Sequence, residues 1–344
     1  MAHAGNWLAR AWLQRGLIAC LLWPVSMLYA AISASHRWLY RTGIFKTESC
    51  DVPVIVVGNV VAGGAGKTPL VIALAKHLKQ RGIQVGVVSR GYGRKAKNCI
   101  EVIENMPISV SGDEPALIFR ALAAPVFVAN KRIEAVRSLL QKYPNTQVII
   151  SDDGLQHYGL ARDIEITVFD DRGIGNGWLL PAGPLREPFK VGQSRHGLQH
   201  KSVATLILHT GQSPAFAGYT STRRLADYGV AADGHQVGLD ELKDKPVIAI
   251  AGVANPQAFF DMLVARGVVL DERISLPDHF GFKRYILPAH TGSTVLCTEK
   301  DAVKLFKMPN INQVRLFAVP LEFTPEPAFL KALDKLLATP RAEN

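Results

Sequence analysis

The chain has 344 residues, a length that fits two globular domains better than one. Hydrophobic residues make up 48% of the chain and charged residues 20%, which excludes a disordered chain and a polytopic membrane protein. Lys and Arg number 39 against 29 Asp and Glu, and the resulting net charge of +10 favours an anionic partner such as nucleic acid, a phosphorylated substrate or an acidic bilayer.

An apolar segment without charged residues covers residues 16–35 near the N-terminus. Its length of about 20 residues is what one bilayer crossing requires, and basic and aromatic residues flank it, as they do at a membrane interface. The flanking residues are Trp7, Arg10, Trp12, Arg15, Arg37, Trp38, Tyr40, Arg41 and Lys46. A cleaved signal peptide and a buried helix kinked at Pro24 are the alternatives. The pattern predicts a single membrane attachment over residues 1–48, by a helix that either spans the bilayer or lies in its interface.

After this segment, short apolar runs rich in β-branched residues alternate with helical patterns. The runs are residues 54–57, 84–89, 125–129, 147–151 and 164–169. Such alternation predicts an α/β fold whose mostly parallel sheet is covered by helices on both faces. A second, smaller alternation begins near residue 246. We therefore predict a larger domain over residues 49–210, a linker over 211–232 and a smaller C-terminal α/β domain over 233–344.

A glycine-rich loop, GNVVAGGAGKTP over residues 58–69, follows the first predicted strand and opens a helix. Glycine backbones can turn several N–H groups toward one anion at the positive end of the helix dipole, so the larger domain is predicted to be P-loop NTPase-like. We expect Lys67 to reach the terminal phosphates and the Thr68 hydroxyl to bind Mg²⁺. The pattern GxxxxGK(S/T) fails only at Val61, where it requires glycine. The predicted nucleotide-binding residues are Gly63, Gly64, Ala65, Gly66, Lys67 and Thr68.

An apolar strand that ends in two acidic residues supports the same interpretation. Residues 148–151 lead into Asp152 and Asp153, as in a Walker B strand, whose Asp holds Mg²⁺ beside the nucleotide phosphates. The alternative is a tight turn at Asp153 and Gly154. We predict that the metal ligands are Thr68 and one or both of these aspartates.

Seven motifs occur in a fixed order along the chain. They are GNVVAGGAGKTP at 58–69, SRGYGR at 89–94, GDEP at 112–115, DDGLQH at 152–157, PAGPLRE at 181–187, PDHF at 277–280 and TEKD at 298–301. Together they resemble the tetraacyldisaccharide 4'-kinase family, inner-membrane enzymes of lipid A synthesis. The resemblance implies transfer of the ATP γ-phosphate to the 4'-hydroxyl of tetraacyldisaccharide 1-phosphate, which gives lipid IVA. It also implies ATP and Mg²⁺ as cofactors, the lipid substrate and the bacterial inner membrane as partners, and catalytic domains on the cytoplasmic side.

A sugar hydroxyl is a poor nucleophile, so a carboxylate within hydrogen-bond reach should accept its proton. Asp113 is the candidate base. From the residues alone, Asp113 could equally cap the following helix, with Ser111 and Glu114 forming a capping box. The resemblance favours catalysis, because in the family the aspartate of GDEP pairs with the histidine of PDHF, which is His279 in this chain. A histidine bonded to a carboxylate can orient it and tune its pKa.

Further polar residues are candidates for the same site. Arg186 and Glu187 follow Pro/Gly turns and either present charge to the active site or form a surface ion pair. The resemblance assigns Gln156 and His157 to the catalytic face. The loop residues Arg90, Tyr92 and Arg94 either line the site for phosphate groups of the substrate or belong to a solvated loop. Lys300 and Asp301 either contact the nucleotide or begin a helix.

Two rival classes remain as alternatives. A regulatory NTPase with a similar GGxGKT loop would usually carry a second lysine early in that loop, where this chain has Val61 and Ala62. A nucleic-acid-binding ATPase would suit the charge, but the basic residues are dispersed and no basic groove with interleaved aromatic residues is visible, so we expect no nucleic-acid partner. The four cysteines are far apart with no CxxC pair, which argues against a zinc site or a disulfide scaffold.

Overall fold

Two β-sheets, each with its own helices, and one apolar N-terminal helix make up the fold. The computed structural model describes residues 10–190, 203–243, 245–282, 285–287, 292–308 and 314–339. The first nine residues of the predicted attachment segment, residues 191–202 of the predicted larger domain and residues 340–344 of the predicted smaller domain lie outside the described residues.

The larger sheet has nine strands in the order β15-β8-β7-β6-β1-β5-β2-β4-β3. Its neighbours from β8 to β4 are parallel, and antiparallel strands close both edges. The strands are β1 Val54–Gly58, β2 Val85–Ser89, β3 Ile100–Glu101, β4 Val126–Val128, β5 Val148–Asp152, β6 Ile164–Phe169, β7 Ala204–His209, β8 Tyr219–Leu225 and β15 Leu321–Pro325. The central strands β1, β5 and β6 are buried throughout, which explains their continuous apolar runs.

Helices cover both faces of this sheet. One face packs against α2 Lys67–Gln80, α4 Asp113–Ala121 and α8 Pro327–Ala338, which contribute buried side chains such as Leu74, Ile118 and Phe329. A one-turn helix, α3 Ile108–Ser111, precedes α4. The other face packs against α5 Arg132–Lys142. The predicted α/β fold with a mostly parallel, helix-covered sheet is confirmed.

The smaller sheet has six strands in the order β10-β9-β14-β13-β11-β12. The last four of these are parallel, and β9 and β10 form an antiparallel edge. Its elements are β9 Tyr228–Val230, β10 Gln236–Gly238, a 3₁₀ turn Leu239–Leu242, β11 Val247–Ala251, α6 Pro256–Ala265, β12 Leu270–Ser275, β13 Thr294–Thr298, α7 Glu299–Leu305 and β14 Arg315–Val319.

The chain enters and leaves the smaller sheet through one antiparallel ribbon formed by β8 and β15, in which Leu225 faces Leu321. The chain after β15 returns to the larger sheet, where Phe329 and Leu333 of α8 are fully buried. The predicted boundaries assign these C-terminal elements to the smaller domain. The structure differs because strand pairing and burial attach β15 and α8 to the larger sheet.

The N-terminal helix, α1 Leu17–Arg41, has 25 residues and continues through Pro24. Its length and composition would allow it to cross a bilayer, and only 11% of its most apolar window is buried. This exposure argues against the alternative of an ordinary core helix. Its inner side lies on the loop between β6 and β7, where the Ser26 hydroxyl accepts a hydrogen bond from the Ala182 N–H and donates one to the Leu179 carbonyl, both at 2.8 Å.

Candidate active site

The glycine-rich loop lies between β1 and α2, as the sequence predicts. Gly63 and Gly66 have φ values of 104° and 81°, a left-handed backbone that favours glycine. Gly64 is limited by space instead, because a Cβ there would lie 2.8 Å from the Cβ of Ala254 in the smaller domain. The loop therefore depends on its glycines for its own conformation and for the close approach of the second sheet.

Lys67 begins α2 and is buried. Its Nζ lies 3.3 Å from Oδ1 of Asn59 and 3.7 Å from Oδ1 of Asp153. The Asn59 amide in turn donates to the carbonyls of Val61 and Gly63, which fixes the front of the loop. This ammonium group consequently points back across the loop toward the end of β5.

The two aspartates at the end of β5 differ in environment. Asp152 is fully buried; the Ser89 hydroxyl donates to its Oδ2 at 3.4 Å, and within the described residues its Oδ1 has no hydrogen-bond partner. Burial raises the pKa of Asp152 above its ordinary value, and the nearby Glu114 and Asp153 carboxylates add to this. Asp153 is about one-third exposed, has a left-handed φ of 45° and accepts from Arg186 at 3.3 Å.

Asp113 is the first residue of α4 and faces the smaller domain. Its Oδ2 lies 3.0 Å from Nδ1 of His279 and forms an ion pair with Lys304 on α7. The residue before the helix is Gly112, and no side chain caps this end, so the capping-box alternative is not what the structure shows. Burial opposes ionisation of Asp113, but the hydrogen bonds from His279 and Lys304 outweigh it and hold its pKa below the ordinary value.

A polar cavity of about 190 Å³ opens between these elements. Its lining residues are Ser89, Arg90, Tyr92, Glu114, Asp153, Gln156, His157 and Arg186. The ring of Tyr92 approaches that of His279 with centroids 5.4 Å apart, which connects the cavity to the Asp113–His279 pair. The structure thus brings together the acidic end of β5, two of the three predicted loop residues, the predicted Gln156 and His157, and the arginine of the PAGPLRE motif.

The PAGPLRE loop is held directly against the phosphate loop. The Ala62 N–H donates to the Pro184 carbonyl and the Arg186 N–H donates to the Val60 carbonyl, both at 2.7 Å. On the other side, the Tyr29 hydroxyl of α1 donates to the Arg186 carbonyl at 2.8 Å. The backbone of Arg186 is therefore fixed from both sides, by the phosphate loop and by the N-terminal helix.

Other predicted site residues have different surroundings. Glu187 is only 2% exposed and accepts from Gln156 at 2.7 Å and from the Tyr158 hydroxyl at 2.9 Å, so it lies behind the cavity wall. Arg94 donates to the carbonyls of Lys97 and Asn98 and closes its own loop. These two side chains are not among those that line the cavity.

The residues of the TEKD motif begin α7. Asp301 lies in the first turn, where its N–H is capped by Thr298 and its Oδ2 accepts from the Gly252 N–H at 2.9 Å, in agreement with the helix-start alternative. Lys300 donates to Asp278 at 2.8 Å.

Sequence reasoning missed four residues of this region: Ser89 and Glu114 in the cavity wall, Arg132 beneath it and Lys304 on Asp113. The buried guanidinium of Arg132 donates to the backbone carbonyl of Asp152 at 3.2 Å. The signal for Lys304 was its position four residues after Lys300, which puts both on one face of a helix.

A mostly parallel sheet whose first strand leads through a glycine-rich loop into a helix, with acidic residues ending the neighbouring strand, defines the class of P-loop nucleotide-binding proteins. The model of one family, LpxK, described as tetraacyldisaccharide-1-P 4'-kinase, matches residues 18–338. The chain belongs to this family.

Individual relatives agree. Proteins named tetraacyldisaccharide 4'-kinase from Polaromonas naphthalenivorans (strain CJ2) and Polaromonas sp. (strain JS666 / ATCC BAA-500) are 59% and 60% identical to it, over 96% of this chain and 94% and 95% of theirs. The crystal structure of LpxK from Aquifex aeolicus in complex with ATP has a TM-score of 0.76 and 31% sequence identity, and the match covers 93% of this chain and 100% of that one.

Proposed function

We propose that the chain transfers the γ-phosphate of ATP to the 4'-hydroxyl of tetraacyldisaccharide 1-phosphate and so forms lipid IVA. The observation that carries this proposal is the Asp113–His279 pair, 3.0 Å apart, beside a phosphate loop and a polar cavity. A carboxylate held in this way suits an enzyme that must deprotonate an acceptor hydroxyl. A regulatory switch needs no such base.

The phosphate loop is the proposed ATP site. Backbone N–H groups of residues 63–68 at the start of α2 suit the β- and γ-phosphates, and Lys67 would reach them from its position near Asp153. The relative from Aquifex aeolicus that carries ATP supports this assignment. Arg186 and Arg90 line the cavity and supply positive charge where the transferred phosphoryl group is negative.

Mg²⁺ fits the oxygen atoms at the end of β5. The buried Oδ1 of Asp152 has no hydrogen-bond partner within the described residues, and Thr68 and Asp153 offer a hydroxyl and a second carboxylate nearby. No group of three or more His, Cys, Asp or Glu suited to a metal occurs in the described part of the chain, which agrees with an ion held by few protein ligands and by phosphate and water. When bound, the ion neutralises phosphate charge.

Asp113 is the proposed general base. The acceptor O–H would give its proton to this carboxylate while the hydroxyl oxygen forms a bond to the γ-phosphorus. The bond from that phosphorus to the bridging oxygen breaks, and its electron pair leaves with ADP. Glu187 would act as a positioning residue, because its carboxylate holds Gln156 in the cavity wall.

Helix α1 is the proposed attachment to the bacterial inner membrane. Its exposed apolar side chains suit lipid, and its contact with the Arg186 loop would hold the catalytic domains at the cytoplasmic surface, where an acylated acceptor is within reach. The basic residues that flank the helix suit the anionic lipids of that surface.

The decisive experiment mixes detergent-solubilised protein with γ-labelled ATP and the disaccharide 1-phosphate lipid and follows the label at the 4' position. Asp113→Asn should lower turnover by about a hundredfold or more, because the amide cannot accept the proton, while ATP binding stays intact. Asp240→Asn, at an exposed carboxylate of the smaller domain, is the matched control. Near-normal transfer by Asp113→Asn would rule out the base, and hydrolysis without transfer to lipid would favour a regulatory NTPase.

A further inference from the structure

Two lysines on one face of α7 reach the two partners of the Asp113–His279 pair. Lys304 contacts Oδ2 of Asp113 and donates to the Phe280 carbonyl at 3.0 Å. Lys300, one helical turn earlier, lies 3.5 Å from Nε2 of His279 and is itself held by Asp278. The polar chain therefore runs from Lys300 through His279 to Asp113 and on to Lys304.

We propose that Lys300 and Lys304 are positioning residues for the catalytic base, with Lys304 fixing the carboxylate of Asp113 and Lys300 fixing the ring of His279. This inference rests on the proposed function, since it assumes that Asp113 accepts the hydroxyl proton. In this inference Lys300, the lysine of the TEKD motif, supports the Asp113–His279 pair and does not contact the nucleotide.

The two oxygens of the Asp113 carboxylate have different contacts. His279 and Lys304 both contact Oδ2, and the described residues give Oδ1 no hydrogen bond. Two donors on one oxygen hold the carboxylate plane while the other oxygen stays available to an acceptor hydroxyl. The carboxylate of Asp113 is 10% exposed and the side chain of Lys304 is 13% exposed, so this contact is largely shielded from water.

The contacts of the His279 ring indicate which of its two nitrogens carries the proton. An ammonium group can only donate hydrogen bonds, so Nε2 of His279 must accept from Lys300. The ring proton then resides on Nδ1, from which it is donated to Asp113. The carboxylate of Asp113 can only accept, so it requires this proton on Nδ1, and the contact with Lys300 adds that Nε2 serves as an acceptor.

The titratable and charged groups around the Asp113–His279 pair come from several elements. They are His279 and Asp278 from the loop after β12, Lys300 and Lys304 from α7, Tyr92 from the loop after β2, and Glu114 from α4 itself. Lys304 is the cation in direct contact with the carboxylate. Its removal should therefore raise the pKa of Asp113, because burial then acts with less opposition.

The test is the pH dependence of kcat for Lys304→Met in the detergent-solubilised full chain. At neutral pH we expect kcat to fall about tenfold to a hundredfold, with the KM for ATP changed by less than about threefold. The acidic limb should move to higher pH by about one pH unit or more, and Lys304→Arg should restore most of the activity. Lys304→Gln is a second neutral variant, and circular dichroism checks the fold of each.

Lys307→Met is the matched control, because Lys307 also crosses between the domains but donates to the Met106 carbonyl at 3.0 Å. It should keep the wild-type pH profile. For Lys300→Met we expect a smaller loss of kcat that is not recovered at high pH, since the placement of the His279 ring and not the charge of Asp113 is affected. An acidic limb of Lys304→Met that coincides with that of the wild type would overturn the assignment of Lys304.

Infrared difference spectra between each protein and its Asp113→Asn partner give the pKa of the carboxyl group without turnover. An increase of about one pH unit in Lys304→Met supports the inference, and an unchanged value contradicts it, whether or not the wild type phosphorylates the disaccharide lipid. These spectra therefore distinguish a failure of this inference from a failure of the proposed function.

Discussion

His157, a side chain of the cavity wall, is kept neutral by its burial and by the arginines around it. Burial lowers its pKa to about 4, and the neighbouring Arg132, Arg162 and Arg90 act in the same direction. Its Nε2 accepts from the backbone N–H of Arg132 at 3.2 Å, which requires a neutral ring. At neutral pH this side chain is therefore an acceptor that supports the wall, and it adds no positive charge to the cavity.

We predict that His157 contributes to acid destabilisation. The folded protein binds this proton near pH 4 and the unfolded chain near the ordinary value of 6.5, so between these values the unfolded state binds more protons. The free energy of unfolding should therefore fall as the pH is lowered from about 6.5 to 4, and this fall should be less steep in His157→Gln. Urea denaturation at several pH values measures the slope.

His235→Gln, at an exposed histidine, controls for the loss of a histidine elsewhere. If His157→Gln and the wild type lose stability in parallel over this range, the ring does not remain neutral in the folded protein.

At the residue scale, the sequence is informative where one residue type carries the chemistry. Lys67 and the loop glycines follow from backbone conformation and anion binding, both of which are local. Asp113 could not be distinguished from a helix cap by local pattern, because its partner His279 lies 166 residues away. The burial of Glu187 behind Gln156 could not be predicted from the sequence either, since it depends on side-chain contacts between distant loops.

At the element scale, α1 is joined to the PAGPLRE loop by hydrogen bonds. Ser26 holds the backbone at Leu179 and Ala182, and Tyr29 holds the carbonyl of Arg186. The side chain of Arg186 then reaches Asp153, which neighbours Lys67. Two residues, Arg186 and Asp153, thus connect Tyr29 of the N-terminal helix to Lys67 of the phosphate loop in a continuous chain of contacts.

We predict that Tyr29→Phe lowers kcat by about threefold to tenfold without changing binding to vesicles, because it removes one hydrogen bond worth about 1 kcal/mol and no apolar area. Turnover with the lipid acceptor and co-sedimentation with anionic phospholipid vesicles measure the two quantities. Tyr40→Phe is the matched control, since it removes a hydroxyl from the same helix within an aromatic cluster. Equal effects of the two variants would contradict a specific role for the contact with Arg186.

Most elements of the larger sheet could be predicted because they are buried on both faces and read as continuous apolar runs. The strand β15 and the helix α8 were not predicted from the sequence, and neither was their attachment to the larger sheet. Their place depends on pairing with β8, about one hundred residues earlier in the chain, and local periodicity carries no information on such pairing.

At the scale of the whole molecule, the smaller sheet is an insertion into the larger one. Both of its connections run through the β8–β15 ribbon, where Leu225 and Leu321 are neighbours and the Ala226 N–H donates to the Pro320 carbonyl at 2.9 Å. The larger sheet and its core need none of the inserted residues to complete their strand order. The proposed catalytic base does depend on them, because its contacts His279 and Lys304 come from the insertion.

We predict that replacing residues 226–320 by a short glycine-containing turn gives a protein that folds but does not transfer phosphate, because β8 and β15 would then form a hairpin. Far-ultraviolet circular dichroism and cooperative thermal unfolding test the fold, and the labelled lipid assay tests the activity. A shortened protein that stays unfolded would show that the larger sheet depends on the insertion, and one that still transfers phosphate would contradict the role of His279.

The same ribbon has a consequence for synthesis on the ribosome. Because β15 and α8 follow the insertion in the chain, the larger core lacks Phe329 and Leu333 until the whole insertion has been translated. The inserted unit can therefore fold first, while β8 remains an edge strand without β15 and the part of the larger sheet that α8 covers stays exposed. Nascent chains that stall before residue 321 should be bound by chaperones and cleared by proteases, and translation of β15 and α8 completes the larger domain.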